Sequence, residues 1–136
     1  MYEYRVRKVA KVVDGDTIDV ELDLGFNIFY AHRVRLAGID TPESRTRDKK
    51  EKALGLESKQ RLKDVLDKAH LIVIKTELPD SSEKYGRILG WLFVDGAEKS
   101  VNEALVADGY AWGYLGDTKV KNFEELAAKR KTSNGL

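Results

Sequence analysis

The stretch TIDVELDL (residues 17–24) alternates strictly: Ile18, Val20, Leu22 and Leu24 are aliphatic, and Asp19, Glu21 and Asp23 between them are acidic. Side chains on a strand point to opposite faces in turn, so this pattern demands a strand with one dry face and one wet face. A helix would scatter the acids around its surface. The preceding residues, Tyr2 to Val13, are also rich in β-formers. Their apolar positions shift from even (Tyr2, Tyr4, Val6) to mostly odd (Val9, Val13), which predicts a bulge or a barrel bend. Asp14-Gly15 between the two runs is a hairpin signal. A third strand is expected at about Ile28 to Ala37, with Val34 and Leu36 on one face and Arg33 and Arg35 on the other.

Helical signals come later. Asp48 with Glu51 has the spacing of a capping box, and Leu62, Val65, Leu66 and Ala69 follow the helical period, predicting a helix over Lys49 to Ala69 that Gly55 weakens. Two more strands are expected at about Leu71 to Glu77 and Arg87 to Val94. Trp91, Leu92, Phe93 and Val94 make both faces of the second apolar, and all four read as packing residues. Ser100 and Glu103 form another capping box ahead of a short helix ending at Gly109. Val120, Phe123 and Ala127 mark one face of a last helix ending near Lys131. Three strands, a helix, two strands and further helix in 136 residues point to one α+β domain, a small Greek-key barrel with helices packed on it, which periodicity alone does not separate from other α+β arrangements.

Composition removes several functions. The chain has no cysteine and two histidines, so a thiolate zinc site is impossible, and His32 and His70 read as packing or surface residues. No apolar run approaches membrane-spanning length. MYEYRVRKVAKVVDGD is charged throughout and lacks the core of a signal peptide, so the expectation is an intracellular protein unless a leader has been removed. Lys and Arg number 24 against 23 Asp and Glu, so affinity for a polyanion must come from local clusters such as HRVR and SRTRDKK.

The chemistry concentrates in a few places. IDTPESR (39–45) sets Asp40, Thr41, Pro42 and Glu43 in a row; DGDT supplies Asp14 and Asp16; Arg35 and Arg87 stand in RVRLAGID and KYGR. If the strand ends carrying Asp16 and Asp40 meet, two carboxylates converge beside a guanidinium. A hard divalent cation such as Ca²⁺ relieves their repulsion and accepts carboxylate, backbone carbonyl and water oxygens. Glu43, past the rigid proline, can hold a water. Such parts suit hydrolysis of a phosphodiester: Asp16, Asp40 and the Thr41 carbonyl for metal, Glu43 as base, and Arg35 and Arg87 as forked clamps on phosphate oxygens. Singly, each motif has an ordinary explanation, DG as a turn, TP as a loop corner, either arginine as a surface ion-pair partner.

Together, VVDGDTIDV, RVRLAGIDTPE, EKYGRILGWLFVDG and VNEALVADGYA resemble the staphylococcal nuclease (thermonuclease) family, in order, over about Val12 to Ala111. The resemblance implies an OB-fold, a five-stranded Greek-key barrel with three α-helices. It implies Ca²⁺-dependent endonuclease activity on DNA and RNA, leaving 3′-phosphate ends; separately, single strands are the expected preference and nothing in the sequence points beyond a monomer. Matched by position, it implies Asp16, Asp40 and Thr41 at the metal, Arg35 (rather than Arg33), Glu43 and Arg87 in catalysis, and Lys84 and Tyr85 near a terminal phosphate. Asp14 would stand outside the metal's direct ligands, and Tyr114 is the choice for base stacking. The segment SRTRDKKEKALG departs from the family pattern, being short and basic, so the loop beside the site is expected to differ. The competing reading is a non-catalytic OB module for single strands or a protein partner; retention of Asp16, Arg35, Asp40, Glu43 and Arg87 together favours the enzyme.

Overall fold

The structure, a computed structural model, describes residues 2–76, 87–114 and 121–133. Strands β1 (Tyr2–Asp14), β2 (Thr17–Asp23), β3 (Phe29–Leu36), β5 (Ile72–Thr76) and β6 (Ile88–Val94) close a barrel in the order β1-β2-β3-β6-β5. Helices α1 (Lys49–Lys68), α2 (Val101–Ala107) and α3 (Phe123–Ser133) complete the expected fold, and two-residue strands β4 (Ile39–Asp40) and β7 (Trp112–Gly113) pair beside it. All barrel pairings are antiparallel except β3 with β6, where Val34, Arg35 and Leu36 face Ile88, Leu89 and Gly90 in parallel. No described helix is long and apolar enough to cross a membrane.

The phase shift in β1 is a real irregularity. Its register against β2 slips between Val6 and Lys8, Val9 and Lys11, and Val12 and Asp14, bending one strand far enough to pair with β5 through Tyr2–Arg5 and with β2 beyond. The last slip lets the neighbours Val12 and Val13 both be buried. Ile18, Val20 and Leu22 of β2 point inward at 0–2% exposure, each such burial contributing about 1.5–3 kcal/mol. Leu24 does not continue the pattern: it lies past the strand end and is exposed, in a turn where Gly25, Phe26 and Asn27 all have positive φ. Of the four β6 residues Trp91 to Val94, Leu92 is fully buried, and Trp91, Phe93 and Val94 are half-buried.

Both predicted helix caps exist. Asp48 Oδ1 accepts from the Lys50 and Glu51 amides, and Ser100 Oγ from the Glu103 amide. At the far end of α2, Gly109 (φ +84°) donates to Val106 O and Tyr110 to Leu105 O, a Schellman closure. Helix α3 keeps Phe123 on its packed face, half-buried against Trp112, but the face is rotated from the one expected. Ala127 is exposed, and Leu126 and Arg130 are the buried residues; Val120 lies outside the described residues. Arg130 fastens α3 by donating to Gly109 O and Ser58 Oγ, pairing with Glu57, and lying over the Tyr110 ring.

Candidate active site

The site grows from three strand ends. Asp14 pairs with Thr17, so the turn between β1 and β2 is Gly15-Asp16, and the Leu36 amide donates to Asp16 O at 2.8 Å, fixing that turn against the end of β3. Gly15 is needed for closeness: a Cβ there would lie 2.8 Å from Ser58 Cβ and 3.1 Å from Thr41 Cγ2. Arg35 faces Thr17 across the β2–β3 pair. The two arginines of this strand face part company, since Arg33 is exposed and bridged to Asp19, whereas Arg35 is buried. From there Arg35 donates to Leu36 O at 2.9 Å and lies 3.4 Å from Asp16 Oδ2 and 3.7 Å from Asp40 Oδ1. Asp40 is carried to that point by the β4–β7 pair, where it faces Trp112.

The segment after Asp40 has no regular structure until Asp48 and is held from several sides. Pro42 is buried; Ser44 bonds Asp14, and Arg45 lies 3.6 Å from the other Asp14 oxygen. Asp14 therefore holds the site loop. A Cβ on Gly55 of α1 would sit 2.5 Å from the carbonyl carbon and oxygen of Glu43, so the glycine that weakened the helix in the sequence is the seat on which the loop rests.

Glu51 departs from the capping-box expectation. A glutamate at that position ordinarily turns back to the cap's own amide, but the Asp48 amide goes to Thr46 Oγ1. Glu51 Oε2 instead accepts the Glu43 amide at 3.0 Å and the Lys121 ammonium at 2.7 Å. Burial pushes the Glu51 carboxyl up, yet the Lys121 and Glu43 hydrogen bonds outweigh it and hold it below its usual value. With the folded value depressed, the bridge is complete at neutral pH and is lost only as acid protonates Glu51.

Asp14, Asp16, Asp40, Glu43, Arg35, Arg45 and Arg87 all line one cleft of about 490 Å³, together with Thr41 and Ser44. Among the described residues, four carboxylates stand against three guanidinium groups on these walls. Tyr114 is placed at the end of β7, its amide on Gly38 O, and is not part of the lining. Lys84 and Tyr85 lie outside the described residues. His32 stacks on Tyr30 and His70 is exposed, both away from the cleft. The sequence marks Glu51 only as a capping residue and gives Lys121 no mark at all; for Ser44 and Arg45 the short basic loop is the signal.

Among the described residues no three Asp, Glu or His side chains converge as a metal cage. What the cleft offers is an oxygen-only set, Asp16 and Asp40 with Thr41 beside them. That chemistry fits a hard cation retaining several waters, such as Ca²⁺, and does not fit a soft metal.

The sequence profile described as staphylococcal nuclease homologue matches residues 33–134, three quarters of the chain, beginning after the Asp14–Asp16 turn. A micrococcal nuclease of Shigella flexneri is 33% identical over 136 residues, covering 91% of this chain and 70% of that protein. An uncharacterised protein of Methanocaldococcus jannaschii is 31% identical over 89% of this chain, and the prophage-derived endonuclease YokF of Bacillus subtilis is 34% identical over 74%. The chain spans 65% of the length of the archaeal protein and 31% of YokF. With the barrel, the three helices and this match over most of its length, the chain belongs to the staphylococcal nuclease homologue family.

Proposed function

We propose that this protein is a Ca²⁺-dependent endonuclease that hydrolyses phosphodiester bonds of DNA and RNA, preferring single strands and leaving 3′-phosphate ends. The observation that carries the reading is the composition of the cleft. Among the described residues, three guanidinium groups face a space lined by four carboxylates, two of them buried against the innermost arginine. A pocket built only to hold phosphate would be positive; this one accepts a phosphate together with a cation. The names of the Shigella and Bacillus relatives, a nuclease and an endonuclease, support the same chemistry.

In this reading Asp16, Asp40 and the Thr41 carbonyl would hold the ion, which when bound would supply positive charge at the phosphate oxygens and acidify nearby water. Arg35 and Arg87 present planar forks to the same oxygens and stabilise the charge that builds on them. Glu43, exposed at the cleft on a fixed backbone, takes the proton of the attacking water. Asp14 keeps the loop in place through Ser44 and Arg45.

Denatured DNA incubated with Ca²⁺ is expected to be cut to fragments ending in 3′-phosphate, with cleavage abolished by EDTA and restored by excess Ca²⁺. Binding without cleavage under every divalent metal would replace the enzyme with a single-strand-binding module.

Gly55→Ala offers a sharper check on the geometry. Alanine in a helix gains about 0.5–1 kcal/mol over glycine, but its Cβ would meet the Glu43 carbonyl at 2.5 Å. Ordinary contact requires a loop movement of about 1 Å, which costs on the order of 10²-fold in rate. Because the atoms met are backbone, the expected outcome is a lower thermal midpoint together with a far lower turnover, read by thermal melting beside a cleavage assay. Full activity in this variant would show that the loop's seat on α1 does not matter.

A further inference from the structure

We propose that Glu51 and Lys121 form a positioning pair that fixes the Glu43 peptide, making the entry to the C-terminal helix a required part of the cleft. The inference rests on the reading of Glu43 as the base, and it adds residues that reading does not use. A carboxylate that must meet a water within a few tenths of an ångström needs a fixed backbone, and Glu43 lies in a segment without regular hydrogen bonding. Pro42 and the Gly55 seat restrict it from two sides. Its amide is fixed by Glu51.

Glu51 is otherwise hard to explain. It is 9% exposed, and burying a carboxylate costs several kcal/mol unless it is paired. An ordinary capping glutamate would stay at the surface over its own helix end. This one has given up that role to reach the Glu43 amide and the Lys121 ammonium.

Lys121 is itself fixed relative to the other side of the cleft. Trp112 donates to Asn122 O at 2.9 Å, and its ring meets Phe123 edge-on. Trp112 lies in β7, opposite Asp40 in β4. The chain of contacts therefore runs from Asp40 through Trp112, Asn122, Lys121 and Glu51 to Glu43, and returns to Asp40 through Thr41 and Pro42. Such a closed circuit sets the distance between Asp40 and Glu43 from outside the loop that joins them. The Glu51 hydrogen bond holds the Lys121 ammonium above its usual value, with the nearby Glu43 and Asp40 carboxylates adding to it.

The test compares three variants of the full chain with Ca²⁺ present: Glu51→Leu, which loses both acceptor and charge; Glu51→Gln, which keeps an acceptor; and Glu51→Lys combined with Lys121→Glu, which restores an ion pair without an acceptor for the amide. Thermal midpoint, kcat and KM on denatured DNA, and hydrogen exchange of the Glu43 amide by NMR are read for each. Glu51→Leu is expected to lower kcat by about 10- to 100-fold with little change in KM and to speed exchange at Glu43. Glu51→Gln is expected to recover most of both. The charge reversal is expected to recover the thermal midpoint and leave turnover low.

Wild-type turnover in Glu51→Leu, or turnover that returns with stability in the reversal, would reduce the pair to an ordinary ion pair. If Glu51→Leu does not fold, the other two variants decide by the same readings. If the wild-type protein cuts nothing, the nuclease reading fails on its own. The pair is then judged by exchange alone: protection of the Glu43 amide that Glu51→Gln retains and the reversal loses upholds it, and an unprotected amide in the wild type overturns it.

Discussion

Replacing Glu43 by glutamine is expected to lower kcat on denatured DNA by about 10²- to 10⁴-fold, the usual contribution of a general base, with KM nearly unchanged. The structural work of this residue is done by its peptide: the amide on Glu51 and the carbonyl against Gly55. The carboxylate stands exposed at the cleft. Glutamine keeps the shape and the peptide contacts and removes only the basic oxygen, so the thermal midpoint is expected to stay at the wild-type value. That separation makes the result readable. A loss confined to kcat assigns Glu43 to an interaction made in the transition state. A rise in KM with kcat intact would assign it to uniform binding, and the base would have to be sought elsewhere.

The reasons some of this was legible in the sequence are local. The alternation of β2 shows a strand because one of its faces is dry, and the phase shift in β1 shows a bend because each slip moves side chains across the sheet. The same alternation cannot show where pairing stops: it runs on to Leu24, although the strand ends at Asp23. Asp48 and Ser100 were legible as caps because a cap acts within one turn. Glu51 was not, because its partners are 8 and 70 residues away. Two-residue strands such as β4 and β7 carry no period, although they place Asp40. Arg130 on a polar helix looks like a solvent-facing cation, and only its contacts with Gly109, Ser58 and Glu57 show that it holds α3 in place. The meeting of Asp16 and Asp40 depends on the turn between β1 and β2 docking onto the end of β3. The residues alone left it conditional, and the order of the four motifs carried the expectation.

Arg35→Met is expected to be the most destabilising change at the site, and its repair by calcium is the more informative half of the result. The guanidinium is buried between two carboxylates that are also buried. Removing one partner of a buried ionic cluster costs about 3–5 kcal/mol, because the remaining charges stay desolvated and here repel one another. For a domain of this size that lowers the thermal midpoint by roughly 10–20 °C. The variant cleft is also one charge more negative, so Ca²⁺ should bind it more tightly. A cation at 100 times its Kd adds about 2.7 kcal/mol of stability. The stabilisation by Ca²⁺ should therefore be larger in Arg35→Met than in the wild type, recovering part of the loss, while turnover stays low because the phosphate clamp is gone. Arg35→Lys keeps the charge without the planar fork; it should regain stability without calcium and still turn over poorly. Equal calcium stabilisation in Arg35→Met and the wild type would place the ion away from Asp16 and Asp40. A variant that melts like the wild type without calcium would mean that these carboxylates do not depend on Arg35 to coexist.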